Sequence, residues 1–170
     1  MNDTSQLPTG TWSLDPSTTT ITITAKKLLA IEVPATLTVS SGLIEIADGQ
    51  VASVDISADA TSYASKNPKR NEHVVGSDFL DTVNHPVIRF HADDVTANGS
   101  DGTANGSLTV KGQTSKMAVT ISNVRVDGNT ATFDASASVD RRDLGVSKMP
   151  SLIIGAQLRL TVSATATLTS

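Results

Sequence analysis

The chain has no cysteine. That absence excludes a disulfide framework and any zinc site built on thiolates. Aromatic residues are almost as scarce: one Trp, one Tyr and three Phe in 170 residues leave few rings on which bases could stack. Lys and Arg never gather into a run, and the net charge is only −4, with both signs interspersed along the chain. Nucleic acid is therefore not an expected partner. No apolar stretch approaches the ~20 residues of a membrane-crossing helix. The opening "MNDTSQLPTG" lacks the basic start and apolar core of a secretory leader. The sequence accordingly predicts a cytoplasmic location; a periplasmic or secreted one would require a leader that has been removed.

What remains is rich in Thr, Val, Ala and Ser, arranged with a period of two. Val54, Ile56, Ala58 and Ala60 alternate with Asp55, Ser57, Asp59 and Thr61. Met117, Val119 and Ile121 face away from Lys116, Thr120 and Ser122. The same pattern runs through Ala131, Phe133, Ala135, Ala137 and Val139, and again through Leu158, Leu160 and Val162. Each is the signature of a strand with one wet face and one dry one. Asp48-Gly49, Asn98-Gly99, Asp127-Gly128 and the Gly112 segment supply tight reversals. The Asn98 and Asn105 triplets also read as turn chemistry rather than glycan acceptors. Short links make neighbouring strands antiparallel. The expectation is an all-β fold of eight to ten antiparallel strands, with residues 1–10 a flexible N-terminus and 11–170 one domain.

Strands over 51–61, 116–126, 130–140 and 154–168 are longer than usual, and long half-apolar strands close into a barrel or pack as a sandwich. The dry faces are slender. Walls carrying Ala58, Ala60, Ala135, Ala137 and Ala156 cannot fill a barrel, and native interiors do not normally keep large voids. Either the sheet flattens into a sandwich with a filled core, an interaction module without a small-molecule ligand, or an apolar guest occupies the hollow. The candidate lining comprises Ile21 and Ile23, Val54 and Ile56, Ile88 and Phe90, and Leu108 and Val110. It continues through Val119 and Ile121, through Phe133, Ala135, Ala137 and Val139, and through Leu158, Leu160 and Val162.

One segment breaks the alternation. "RNEHVVGSDFLDTVNHP", residues 70–86, gathers charged residues and histidines around Phe79. Catalysis would need a Ser placed by a His, but Ser77 and His73 have no Gly-x-Ser-x-Gly elbow around them. His73, His85 and His91 match no common zinc spacing. The sequence therefore predicts no enzyme, no metal and no cofactor. The favoured role is closure: Val74 and Phe79 plug one barrel end, while Arg70 and Arg141 pair with Glu72, Asp78 or Asp143. Ser77 or Asp78 is expected to cap a short helical turn within 62–85. Arg70, Arg141 and His73 are also the candidates to meet a polar head group.

These residues resemble the YceI-like family from Trp12 to about Leu168. "TWSLDPSTTTITITAKK" is similar to the family's opening strand, and Arg70, His73, Asp78, Phe79, Pro86 and Phe90 follow its central motif. Gly106, Leu108, Thr109, Gly112 and Thr114 match its Gly-x-Leu-Thr hairpin, and Arg141, Asp143 and Gly145 its Arg-x-Asp-aromatic-Gly segment. Asn71 stands where the family usually has Asp, Leu144 where an aromatic is common, and Lys27 where a His is frequent. The resemblance implies an extended, lipocalin-like antiparallel β-barrel of about eight strands. It further implies a long-chain isoprenoid, of polyprenyl or isoprenoid-quinone type, held for transport, storage or sequestration. Transient membrane contact and a homodimer both stay open.

Overall fold

The computed structural model describes residues 8–27, 31–76, 79–98, 100–144 and 157–169. Nine strands run in the order β1 (Gly10–Leu14), β2 (Thr20–Lys27), β3 (Ile31–Ala47), β4 (Gln50–Ala64), β5 (Val87–Asn98), β6 (Asp101–Val110), β7 (Gln113–Asp127), β8 (Thr130–Asp140) and β9 (Gln157–Leu168). One short helix, α1 (Pro68–Val74), and a single 3-10 turn at Arg141–Leu144 complete the described elements. All strand pairings are antiparallel.

The sheet closes on itself. From β3 the order runs β2, β9, β8, β7, β6, β5, β4, and β4 then pairs back onto β3. Nine strands make eight staves because β1 and β2 share one. β2 lies between the first part of β3 and the first part of β9, and β1 lies between the last parts of the same two strands. The sequence pattern suggests one opening strand; the structure divides it at Asp15-Pro16. The Asp15 carboxylate accepts from the Ser17 N–H at 2.9 Å and from the Ser17 hydroxyl at 2.7 Å. Proline has no N–H to give a ladder, so the strand stops and restarts after this Asx-turn.

Tight turns close the hairpins as the sequence suggests. Asp48-Gly49 and Lys111-Gly112 both have two positive φ angles, the type I′ geometry that matches strand twist. Gly128 at φ 61 opens the β7–β8 turn. Asn105-Gly106 is not a turn. It lies inside β6, where the missing side chain of Gly106 makes room for the His91 carbonyl and the Phe90 ring on β5. Register shifts on β3, β5 and β7 supply the bending that closure demands. On β7, Asn123 at φ 56 absorbs the extra residue, so the inward face passes from Ile121 to Val124.

The two ends of the barrel differ. At one end the connections are the β3–β4, β5–β6 and β7–β8 turns. There Trp12, Leu14, Ile46, Ala131, Ala164 and Ala166 form a packed cluster. Trp12 is 1% exposed, and its indole Nε1–H donates to the Pro8 carbonyl at 3.0 Å. At the other end stand α1, the chain through to β5, the β6–β7 turn and the Arg141–Leu144 turn. The first end is plugged and the second carries the lid. Because Trp12 fills the plug, Trp12→Ala is expected to cost about 3–5 kcal/mol, seen as a lower urea midpoint with the m-value unchanged.

Candidate functional site

Inside the staves lies a hollow of about 540 Å³ whose walls are almost wholly apolar. It excludes the filled sandwich. The inward residues of every stave contribute, from the Trp12 cluster at the plugged end to α1 at the lid. On β3 the lining runs from Val33 to Ile46, about 30 Å along the axis at ~3.3 Å per residue and a strand tilt near 40°. An apolar cavity of ~150 Å³ takes up benzene, so this one has room for on the order of 20 carbon atoms.

Each lining residue read from the strand pattern faces this hollow: Ile21, Ile23, Val54, Ile56, Ile88, Phe90, Leu108, Val110, Val119, Ile121, Phe133, Val139, Leu158, Leu160 and Val162. Ala135 and Ala137 are there with Phe79 from the lid. Ala58 lines it too, whereas Ala60 is buried outside it, and Ala156 lies outside the described residues. Pattern reading missed β1 and β3, which supply Trp12, Leu14, Val33, Leu37, Ile44 and Ile46. On β3 the buried positions are odd-numbered up to Val39 and even-numbered from Gly42 onward, because a bulge at Ser40 shifts the phase. A single window of alternation cannot see through that slip.

The polar part of the wall is concentrated at the lid. Tyr63, Asn67, Lys69, Arg70, His73 and Arg141 line the hollow there. α1 begins at Pro68 because Asn67 caps it, its side chain accepting from the N–H groups of Lys69 and Arg70 at 3.1 and 3.2 Å. The expected caps, Ser77 and Asp78, lie outside the described residues. Asn71 turns away from the hollow. Its amide accepts from the Ser65 N–H at 2.7 Å and donates to the Ser65 carbonyl at 3.2 Å. The same amide oxygen also accepts from the Ser65 hydroxyl at 2.5 Å; a carboxylate could only accept, so asparagine makes three bonds where a carboxylate would make two.

After the helix, Thr82 is buried and its hydroxyl donates to the Val75 carbonyl at 3.1 Å. The Leu80 N–H donates to the Val74 carbonyl at 2.9 Å. These bonds hold Val74, Phe79 and Leu80 against the hollow, and the His73 ring stands edge-on to Phe79 at 5.0 Å.

Of the expected ion pairs, those with Asp78 lie outside the described residues. Arg70 and Glu72 are two apart on α1, and such residues do not face each other on a helix. Two ion pairs stand at this end among the described residues: Arg142–Asp140, with Nη2 at 2.7 Å from Oδ2 and Nε at 3.0 Å from Oδ1, and Arg159–Glu32, with Nη2 at 3.3 Å from Oε1. The Arg142 pair holds the Asp140 carboxyl down to about 2, mainly through the Arg142 side-chain bond. Arg141 is 3% exposed and faces the hollow. Burial pushes its guanidinium below the ordinary value, with Arg142 adding to the effect and Asp140 opposing it. Burial also raises the Tyr63 phenol, against the attraction of Arg70.

The three histidines are dispersed. His73 is on the lid, His85 lies beside Gly112, and His91 is outside the barrel on β5. Among the described residues no group of three His, Asp or Glu side chains is disposed to hold a metal ion. Likewise, no helix there is long and apolar enough to cross a membrane.

A closed antiparallel barrel of this length, hollow and lidded at one end, is accompanied by a sequence match. The profile of the YceI-like domain covers residues 12–166. The chain belongs to the YceI-like family. Among curated relatives, the UPF0312 protein of Pseudomonas paraeruginosa is 26% identical over 98 residues, 55% of this chain and 51% of the relative. The chain thus aligns with about half the length of the curated relatives it matches. Among solved structures, BcnA of Burkholderia cenocepacia superposes with a TM-score of 0.82 at 20% identity, covering 91% of this chain and 99% of that one. A polyisoprenoid-binding domain from Saccharophagus degradans, implicated in plant cell wall breakdown, gives 0.73 at 13% identity, covering 93% and 98%. The YceI protein of Campylobacter jejuni gives 0.67 at 16% identity, covering 76% and 81%. At these identities the superpositions show that the YceI-like chain shares the fold.

One outward contact has a measurable pH signature. His91 Nδ1 lies 2.5 Å from the Asp55 carboxylate, and this bond raises the histidine above its ordinary 6.5. A raised folded-state value means that the stabilisation is full below the unfolded pKa and fades as pH rises through the folded one. Asp55→Asn is expected to return the His91 titration, followed by NMR, towards 6.5.

Proposed function

We propose that this protein binds one long-chain isoprenoid lipid, of polyprenyl or isoprenoid-quinone type, and carries, stores or sequesters it without chemical change. The observation that carries the proposal is the hollow: long, apolar along its staves but for Ser136, and polar chiefly where the lid meets it. The fold shared with a polyisoprenoid-binding domain supports the same reading.

The physics favours a linear guest. Spread over about 30 Å of strand height, 540 Å³ gives a mean bore of roughly 20 Å², the width of one hydrocarbon chain at van der Waals contact. Each buried methylene contributes ~0.8 kcal/mol, so a tail of ~20 carbons gains on the order of 15 kcal/mol before the cost of association. The tail supplies affinity and the distance to Trp12 limits its length. At the lid, Arg70, His73 and Arg141 donate to the oxygens of the head group. Arg141 is the most buried of the three, and its guanidinium keeps its charge there.

Native mass spectrometry of protein purified without detergent, followed by solvent extraction, tests the proposal. One long-chain lipid per protein is expected, and an extract free of lipid overturns it. Ala135 faces Ile121 and Val162 half-way along the barrel. Ala135→Phe is expected to lower the recovered stoichiometry at least tenfold, or to select shorter tails, while the melting temperature is held or raised. Unchanged lipid in a folded variant counts against occupancy of the barrel centre.

A further inference from the structure

Charges that look interspersed along the sequence are sorted by the fold. Among the described residues, eleven of the twelve lysines and arginines lie in the lid-end half of the molecule, the half that holds α1 and the β6–β7 turn. Arg125, near the end of β7, is the exception. Six of the fifteen described Asp and Glu share the lid-end half: Glu32, Asp59, Glu72, Asp81, Asp140 and Asp143. The other nine lie in the plugged half, Glu45, Asp48, Asp93, Asp94, Asp101 and Asp127 among them. A net charge of −4 therefore hides an axial dipole whose lid half carries eleven cations against six anions.

Three of the four large apolar side chains exposed among the described residues share this asymmetry; the fourth, Leu43, is 46% exposed on β3 in the plugged half. Val83 is 91% exposed in the turn before β5, Ile31 is 56% exposed at the start of β3, and Val87 is 37% exposed at the start of β5. All three are at the lid end, on or beside β3 and β5, with β4 between them. A cationic rim with protruding aliphatic side chains is the composition of a surface that settles on anionic lipid.

We propose that the lid end docks on an anionic bilayer, with Val83 and Ile31 entering the head-group layer and the hollow facing the lipid. The inference rests on the lipid-binding reading above and adds where the guest comes from. Opposite charge at the two ends orients the approaching barrel, because the field of the bilayer attracts one end and repels the other. Anionic lipid is the occupant, rather than an acidic protein, because the same rim that carries the cations also exposes the aliphatic side chains.

Flotation with extruded vesicles tests it. Binding is expected to vesicles of phosphatidylcholine with about 30% phosphatidylglycerol, and to be at least tenfold weaker to phosphatidylcholine alone or at about 0.5 M NaCl. The exposed pair Lys66→Glu with Lys69→Glu, and separately Val83→Asp, are expected to weaken binding on the order of tenfold with unchanged melting temperature. Arg125→Glu at the far end, a single charge reversal, is the control for position and is expected to leave binding unchanged. Equal binding to both vesicle types, no binding to either, or equal loss in Arg125→Glu overturns the proposal. Binding to an acidic protein with none to anionic vesicles does the same. Lipid extracted from protein that never binds vesicles removes the docking alone; vesicle binding by protein whose hollow yields no lipid removes the carrier reading and leaves the docking standing.

Discussion

The pairing of β4 back onto β3 is the interaction on which the rest of this structure depends. Without it, eight staves would form an open sheet free to flatten against itself, and its small inward residues would pack readily across the gap. Closed, the ladder fixes a circumference that those same residues are too small to fill. The hollow thus follows from a backbone constraint set against side-chain volume, and the bulges on β3, β5 and β7 are what make that constraint geometrically attainable. The closing ladder is itself irregular, with register shifts near Thr36, Val39 and Glu45. Hydrogen bonding here shapes the interior as much as apolar packing does.

The regular staves were readable because their alternation is uninterrupted. β8 has the limits the pattern suggests, Thr130–Asp140, and the inward faces of β7 up to Ile121 and of β9 follow directly from period two. Reading failed where the backbone departs from two residues per repeat. The seventeen residues of β3 hide a phase slip at Ser40, and Pro34 sits before the pairing with β4 begins at Thr36, where a missing N–H is tolerated. Asp15-Pro16 turns one apparent strand into two. Asn105-Gly106 imitates a hairpin because the dipeptide that makes a turn also permits close approach of a neighbouring strand. Ion pairing on the lid was the least legible: Arg70 and Glu72 are two apart in the sequence and point apart on a helix, while Arg142, in the 3-10 turn, reaches back to Asp140.

The two barrel ends divide the chemistry. Trp12 and its small neighbours complete a dry floor that needs nothing further. The lid is assembled from polar ties, Asn67 to the first turn of α1, Asn71 to Ser65 and Thr82 to Val75, over a few apolar side chains that face inward. Such ties exchange with water more cheaply than a packed cluster opens, so local opening belongs at this end. Sequence composition could not show this division, since it arises only when distant segments meet around the circumference.

Trp12 on β1 is flanked by Leu168 on β9, and the Thr169 N–H donates to the Thr11 carbonyl at 2.8 Å. The stave that seals the floor is therefore bonded to the last strand of the barrel. A nascent chain emerging from the ribosome cannot complete the wall until β9 is out, and ladders of such sequence separation form slowly. During synthesis β3 to β8 can pair with one another, but the wall they form stays open until β9 joins it. Any guest that sits in the finished barrel is thus enclosed either at the moment of ring closure or afterwards.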